Sequence, residues 1–153
     1  STKITMTQPT FDHERLDVYR LAIDYVAFSY RIARGLTGIQ RPARDQWLRA
    51  TQSIPLNIAE GNGKQSLKDK NRYFEIARGS TFECAAIQDV LVVGKALAET
   101  ESQERKVALD RIAAMLSRLG GRGYCVKEDP AAYGFEEIDC DTDTDFDLEE
   151  TIS

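Results

Sequence analysis

Ser53 to Glu83 reads SIPLNIAEGNGKQSLKDKNRYFEIARGSTFE, and it places two helical patterns either side of one break. Upstream, Ile54 and Ile58 continue a row begun by Trp47 and Ala50, at the three- and four-residue steps of a buried helix face. This predicts a helix from Ala43 to Glu60, with Pro55 inside it removing one backbone bond and bending it. Gly61, Asn62, Gly63, Lys64 and Gln65 form the predicted turn, and Ser66 with Asp69 three residues on resembles a capping box. No proline follows until Pro130, so the next helix is predicted over Leu67 to Leu97. One of its rows is Phe74, Ala77, Thr81, Cys84 and Leu91; the other is Ile76, Ser80, Ile87, Val90 and Leu97.

On the N-terminal side, Leu16, Tyr19, Ile23, Val26, Tyr30 and Ala33 give a further helix within Glu14 to Gly35. A second apolar row, Val18, Ala22, Tyr25, Ile32 and Leu36, widens its apolar face beyond what one small bundle buries and points to a contact between subunits. Gly35, Gly38 and Pro42 break the pattern. On the C-terminal side, a helix after Ser102 buries Ala108, Leu109, Ile112, Leu116 and Leu119 and stops at Gly120 and Gly121. Four helices with short links and no alternating strand pattern predict an all-α fold, an up-down four-helix bundle. The expected organisation is a flexible arm over 1–10, the bundle over 11–121 and an acidic, largely irregular tail over 122–153.

The charge is divided along the chain. Residues 1–127 hold all 20 Lys and Arg against 14 acids, a net of +6, while 128–153 hold 11 acids and no base. The overall value of -5 describes neither part. Apolar runs such as Val90 to Val93 fall far short of the ~20 residues that span a bilayer, so no membrane partner is expected. The first residues, STKITMTQPTF, lack the apolar core of a secretory signal. Cys84, Cys125 and Cys140 are odd in number and form no C-x-x-C pair, which argues against a disulfide framework and for a reducing, cytoplasmic setting.

Catalytic chemistry finds few donors. His13 is the single histidine, which removes Glu-x-x-His di-iron pairs, Ser-His and Cys-His nucleophiles and multi-histidine zinc sites. Gly61, Gly63, Lys64 and Ser66 echo a phosphate loop, but a helix stands where the strand belongs and Gln65 interrupts the Gly-Lys-Ser order. The expectation is a protein without enzymatic activity, cofactor or metal.

Two basic groups stand out instead. One is Arg31, Arg34, Arg41, Arg44 and Arg49; the other is Lys64, Lys68, Lys70 and Arg72 at the predicted start of a helix, where backbone N–H groups favour anions. Repeated around an oligomer, they would hold a phosphate backbone without reading bases. Gly79 and Ser80, small residues in mid-helix, are expected where another backbone approaches, with the Pro55 helix as neighbour. Asn57, Glu60 and Glu83 are expected to form a hydrogen-bonded network that fixes helix register, with Arg78 or Arg49 as partner.

IPLNIAEG and FEIARGSTFE, with FDHERLDVYRLA before them, resemble the family of proteins encoded in intervening sequences of bacterial 23S ribosomal RNA genes. The resemblance covers about Phe11 to Gly121, and Pro55, Asn57, Glu60, Gly61, Gly79, Ser80 and Glu83 carry its signature. It implies a homo-oligomeric ring of bundles, commonly a pentamer, with no assigned catalysis. A related branch, the accessory protein of diversity-generating retroelements, implies RNA or DNA, or a reverse transcriptase, as partner.

The tail lies outside that pattern. Asp139, Asp141, Asp143, Asp145 and Asp147 alternate, and a calcium loop starting at Asp141 fails because Phe146 and Ile152 occupy the glycine and glutamate positions. Two readings stay open: a solubilising segment, or a phosphate mimic that folds onto the basic body with Tyr133, Phe135, Ile138 and Phe146 as anchors.

Overall fold

A computed structural model describes residues 8–121; the arm residues 1–7 and the whole acidic tail, with its aspartates, aromatic anchors, Cys125 and Cys140, lie outside the described residues. A 3-10 turn at Asp12–Arg15 precedes four helices: α1 Asp17–Ala33, α2 Arg41–Asn62, α3 Leu67–Val93 and α4 Glu99–Leu119. Among the described residues there is no strand. α1 packs on α2 and α4, and α3 packs on the same two, the α2–α3 contact being the most extensive.

The buried faces follow the sequence rows. Trp47, Ala50, Ile54 and Ile58 of α2 are at most 5 % exposed, as are Phe74, Ala77, Cys84 and Leu91 of α3. In α1 the second row is the deep one: Val18, Ala22 and Tyr25 are buried, whereas Tyr19, Ile23 and Val26 are half-buried and Tyr30 is exposed. Tyr25, Phe28 and Trp47 meet edge-on or tilted with ring centroids 5.7 to 6.4 Å apart, a geometry aromatic quadrupoles favour. Ile76 and Val90, expected inside α3, are 45 % and 58 % exposed, and Leu119 is 40 % exposed.

Helix ends differ from the sequence reading for local reasons. α2 starts at Arg41, before the predicted Ala43, because proline is accommodated in a first turn, where its missing N–H has no intrahelical acceptor. It then continues through buried Pro55 and through Gly61 to Asn62, so Gly61 is helical and not part of the turn. Ser66 caps α3 as expected, its Oγ accepting from the Asp69 backbone N–H at 3.1 Å. α3 stops at Val93, short of Leu97: Lys95 takes a positive φ of 62°. There the Ala96 N–H donates to the Leu91 carbonyl at 2.8 Å and the Lys95 N–H to that of Val92 at 3.0 Å, a Schellman closure.

Gly79 does not mark a close crossing. A Cβ there would meet nothing within 4 Å, whereas one at Gly61 would lie 2.9 Å from Phe74 Cε1 and from Tyr73 Cβ. The tight α2–α3 approach sits at the end of α2, not in the middle of α3.

Candidate functional site

The polar residues that tie the helices together are mostly not the predicted ones. Tyr25 Oη donates to Gln88 Oε1, Trp47 Nε1 donates to Tyr25 Oη at 3.1 Å, and Gln88 Nε2 donates to the Ser102 carbonyl and hydroxyl, each at 3.0 Å. This chain joins α1, α2, α3 and α4, and every polar group of the Gln88 amide has a partner. Beside it, Ser29 and Thr51 hydroxyls lie 3.1 Å apart, and Thr51 Oγ1 is 3.6 Å from Cys84 Sγ. Burial raises the Cys84 thiol to about 12 and pushes the Tyr25 phenol up as well, so both stay protonated and serve the core.

Asn57, Glu60 and Glu83 do not form the expected shared network. Asn57 bonds within its own helix, to the Ser53 carbonyl at 2.8 Å and hydroxyl at 3.0 Å. Glu60 faces Lys64 at 3.9 Å, and Glu83 accepts from Gln46 Nε2 at 3.1 Å. Ser80 does reach α2, donating to Ser53 Oγ at 2.8 Å. Arg78 turns to Glu75 and stacks over Phe82, 5.0 Å from the ring centre, instead of serving those residues. The missed network had a readable signal: Ser29 and Gln88 stand in phase with Ala22, Tyr25 and Ala33, and with Cys84 and Leu91.

The two basic groups lie at opposite ends of α2, a helix of 22 residues and therefore ~33 Å long. At its N-terminal end, Arg44 is used internally, donating to the Leu36 carbonyl at 3.2 Å and pairing with Asp45 at 2.9 Å. Arg31 reaches α4 and pairs with Glu101 at 2.5 Å. Arg34, Arg41 and Arg49 are exposed, and none has an ion-pair partner among the described residues. At the other end, Lys70 Nζ donates to the Asn62 carbonyl at 2.9 Å and so closes α2. Lys64 and Arg72 both lie 5.2 Å from the centre of the Tyr73 ring, and Lys68 is exposed. Arg34, Arg41, Arg49, Lys68 and Arg72, five of the nine predicted cations, are thus exposed and without an ion-pair partner among the described residues, in two separate groups.

Other features lie apart from these patches. His13 sits between Phe11, at 5.9 Å stacked, and Tyr19, at 4.7 Å edge-on. An open, mainly apolar cavity of about 280 Å³ lies between the start of α1 and the end of α4, lined by Leu16, Val18, Met115 and Leu119 with Asp17 and Arg118. Among the described residues no three His, Cys, Asp or Glu side chains are grouped to hold a metal ion, and no helix is long and apolar enough to cross a membrane. Residues 14–118 match the family model described as 23S rRNA-intervening sequence protein. No curated protein matches the chain.

Proposed function

The chain belongs to the 23S rRNA-intervening sequence protein family, and from that premise we propose that it is a non-enzymatic helical scaffold that assembles with copies of itself and holds a nucleic-acid backbone. The observation that carries the reading is the outward placement, without ion-pair partners, of Arg34, Arg41 and Arg49 near one end of α2, with exposed Lys68 and with Arg72 over the Tyr73 ring near the other. Cations without carboxylate partners can each replace a condensed counterion on a phosphate chain. The expected assembly is a ring of five, as the resemblance implies, in which these patches recur. The Cys84 thiol, held protonated near neutral pH, and the stacked His13 offer no activated nucleophile.

Binding of a labelled single-stranded RNA, followed by fluorescence anisotropy across a salt series, tests this. The full chain should bind more weakly as salt rises, and the triple variant Arg34→Glu, Arg41→Glu, Arg49→Glu should lower the logarithmic salt slope by roughly 2. No binding at low salt by either the full chain or a chain lacking 128–153, or an unchanged slope, would remove the nucleic-acid part of the reading.

A second reading, a protein-interaction module without nucleic acid, draws on the exposed Ile76, Phe82, Val90 and Val93 of α3. Its mark would be salt-insensitive association with one co-purifying protein.

A further inference from the structure

The outward side of α3 carries a row with coiled-coil spacing. Ile76, Gly79, Glu83, Ala86, Val90 and Val93 step alternately by three and four residues, and all of them are exposed. Val90 is 58 % and Val93 81 % exposed, and Phe82 beside the row is 47 % exposed. The row extends for roughly 27 Å. A repeat of ~3.5 residues keeps one stripe facing a partner helix along its whole length, with small residues as holes for the partner's knobs. Gly79 weakens a helix and packs against nothing in its own subunit.

α1 carries the counterpart. Leu16, Tyr19, Ile23, Val26, Tyr30 and Ala33 follow the same alternation over the same length, and the middle four remain half-buried or exposed. α1 and α3 each pack on α2 and α4, so they stand diagonally and their outward sides face away from each other. One cannot cover the other inside a subunit. Their sizes complement: α1 offers two tyrosines and an isoleucine, whereas α3 offers Gly79 and Ala86.

We propose that the occupant of the α3 row is a second copy of this chain, which lays its α1 row into it, with Gly79 and Ala86 receiving the α1 knobs. The inference rests on the self-association proposed above and adds which faces meet. Because the joined faces differ, the contact is head-to-tail and repeats until a ring closes. Glu83, held by Gln46, is the one charge in the α3 row and sits where a polar group fixes register at some cost in affinity.

Complementation between two full-length variants tests it. Val26→Glu spoils the α1 row and leaves α3 intact; Gly79→Leu fills the α3 hole and leaves α1 intact. Light scattering should return the single-chain mass of 17.2 kDa for each variant alone, with far-UV circular dichroism unchanged, and twice that mass for the equimolar mixture, which retains one sound junction. Val26→Glu that still pairs with itself would show an α3-to-α3 contact and overturn the proposal. Variants that keep the wild-type mass, or a mixture that stays at single-chain mass, would overturn it too, while leaving self-association standing. A wild-type chain of single-chain mass would remove self-association itself. Should either variant lose its helical signal, Ile23→Lys and Val90→Lys replace the pair and the same outcomes apply.

Discussion

Gln88 is the residue on which most of the core's polar geometry converges. Its amide is fully buried, accepts from Tyr25 and donates twice to Ser102. Gln88→Leu should destabilise by about 1 to 3 kcal/mol, since it leaves the Tyr25 O–H without its acceptor and the Ser102 hydroxyl without its donor, and chemical denaturation measures the loss. The two mid-sequence glycines should respond in opposite ways. Gly61→Ala drives a methyl against Phe74 and the Tyr73 Cβ and should lower stability by about 1 to 3 kcal/mol. Gly79→Ala enters open space within its own subunit, and in the single-chain Val26→Glu background it should raise helix stability by up to ~1 kcal/mol. Equal melting temperatures for the two variants would refute this assignment. Cys84 adds a pH dependence: its thiol moves from the ordinary 9.0 to about 12 on folding, so the unfolded chain loses the proton first. Its contribution is present below about 9 and declines as pH rises towards 12, and Cys84→Ala should show a shallower alkaline loss in parallel denaturation curves.

At the scale of helices, the rows of α2 and the inner row of α3 were legible because period-3.6 spacing reports directly which side is buried. The ends were less legible. α3 stops at Val93 with Gly94 as its C-cap, and Lys95 beyond it takes a left-handed conformation, a position where glycine would be expected. Lys95→Gly should therefore stabilise by about 0.5 to 1 kcal/mol, the relief of strain offset in part by the freer unfolded glycine. A lower melting temperature would contradict that account of the turn. The predicted Gly79 crossing failed for a related reason: a small residue in a helix signals close approach without saying from which side. Spacing alone puts Ile76 and Val90 inward because their row interleaves with buried Ser80 and Ile87, and only the packing separates the two stripes. The cations show the same limit. Spacing grouped Arg44 and Lys70 with their neighbours, whereas the fold turns both onto backbone carbonyls.

For the whole molecule, the division of charge is the feature that sequence alone displays and that bears most on binding. Removing 128–153 changes the formal charge from -5 to +6. If the tail mimics phosphate, the truncated chain should bind RNA at ~50 mM salt far more tightly than the full chain, and a peptide of Glu128 to Ser153 should compete. A truncated chain that ignores RNA at that salt would exclude the mimic. All of this presupposes assembly, because a ring is what turns two modest patches per subunit into a continuous field. Light scattering of the full chain at micromolar concentration tests that claim most directly: the account predicts a mass about five times the 17.2 kDa of one chain, and a mass of 17.2 kDa would contradict it.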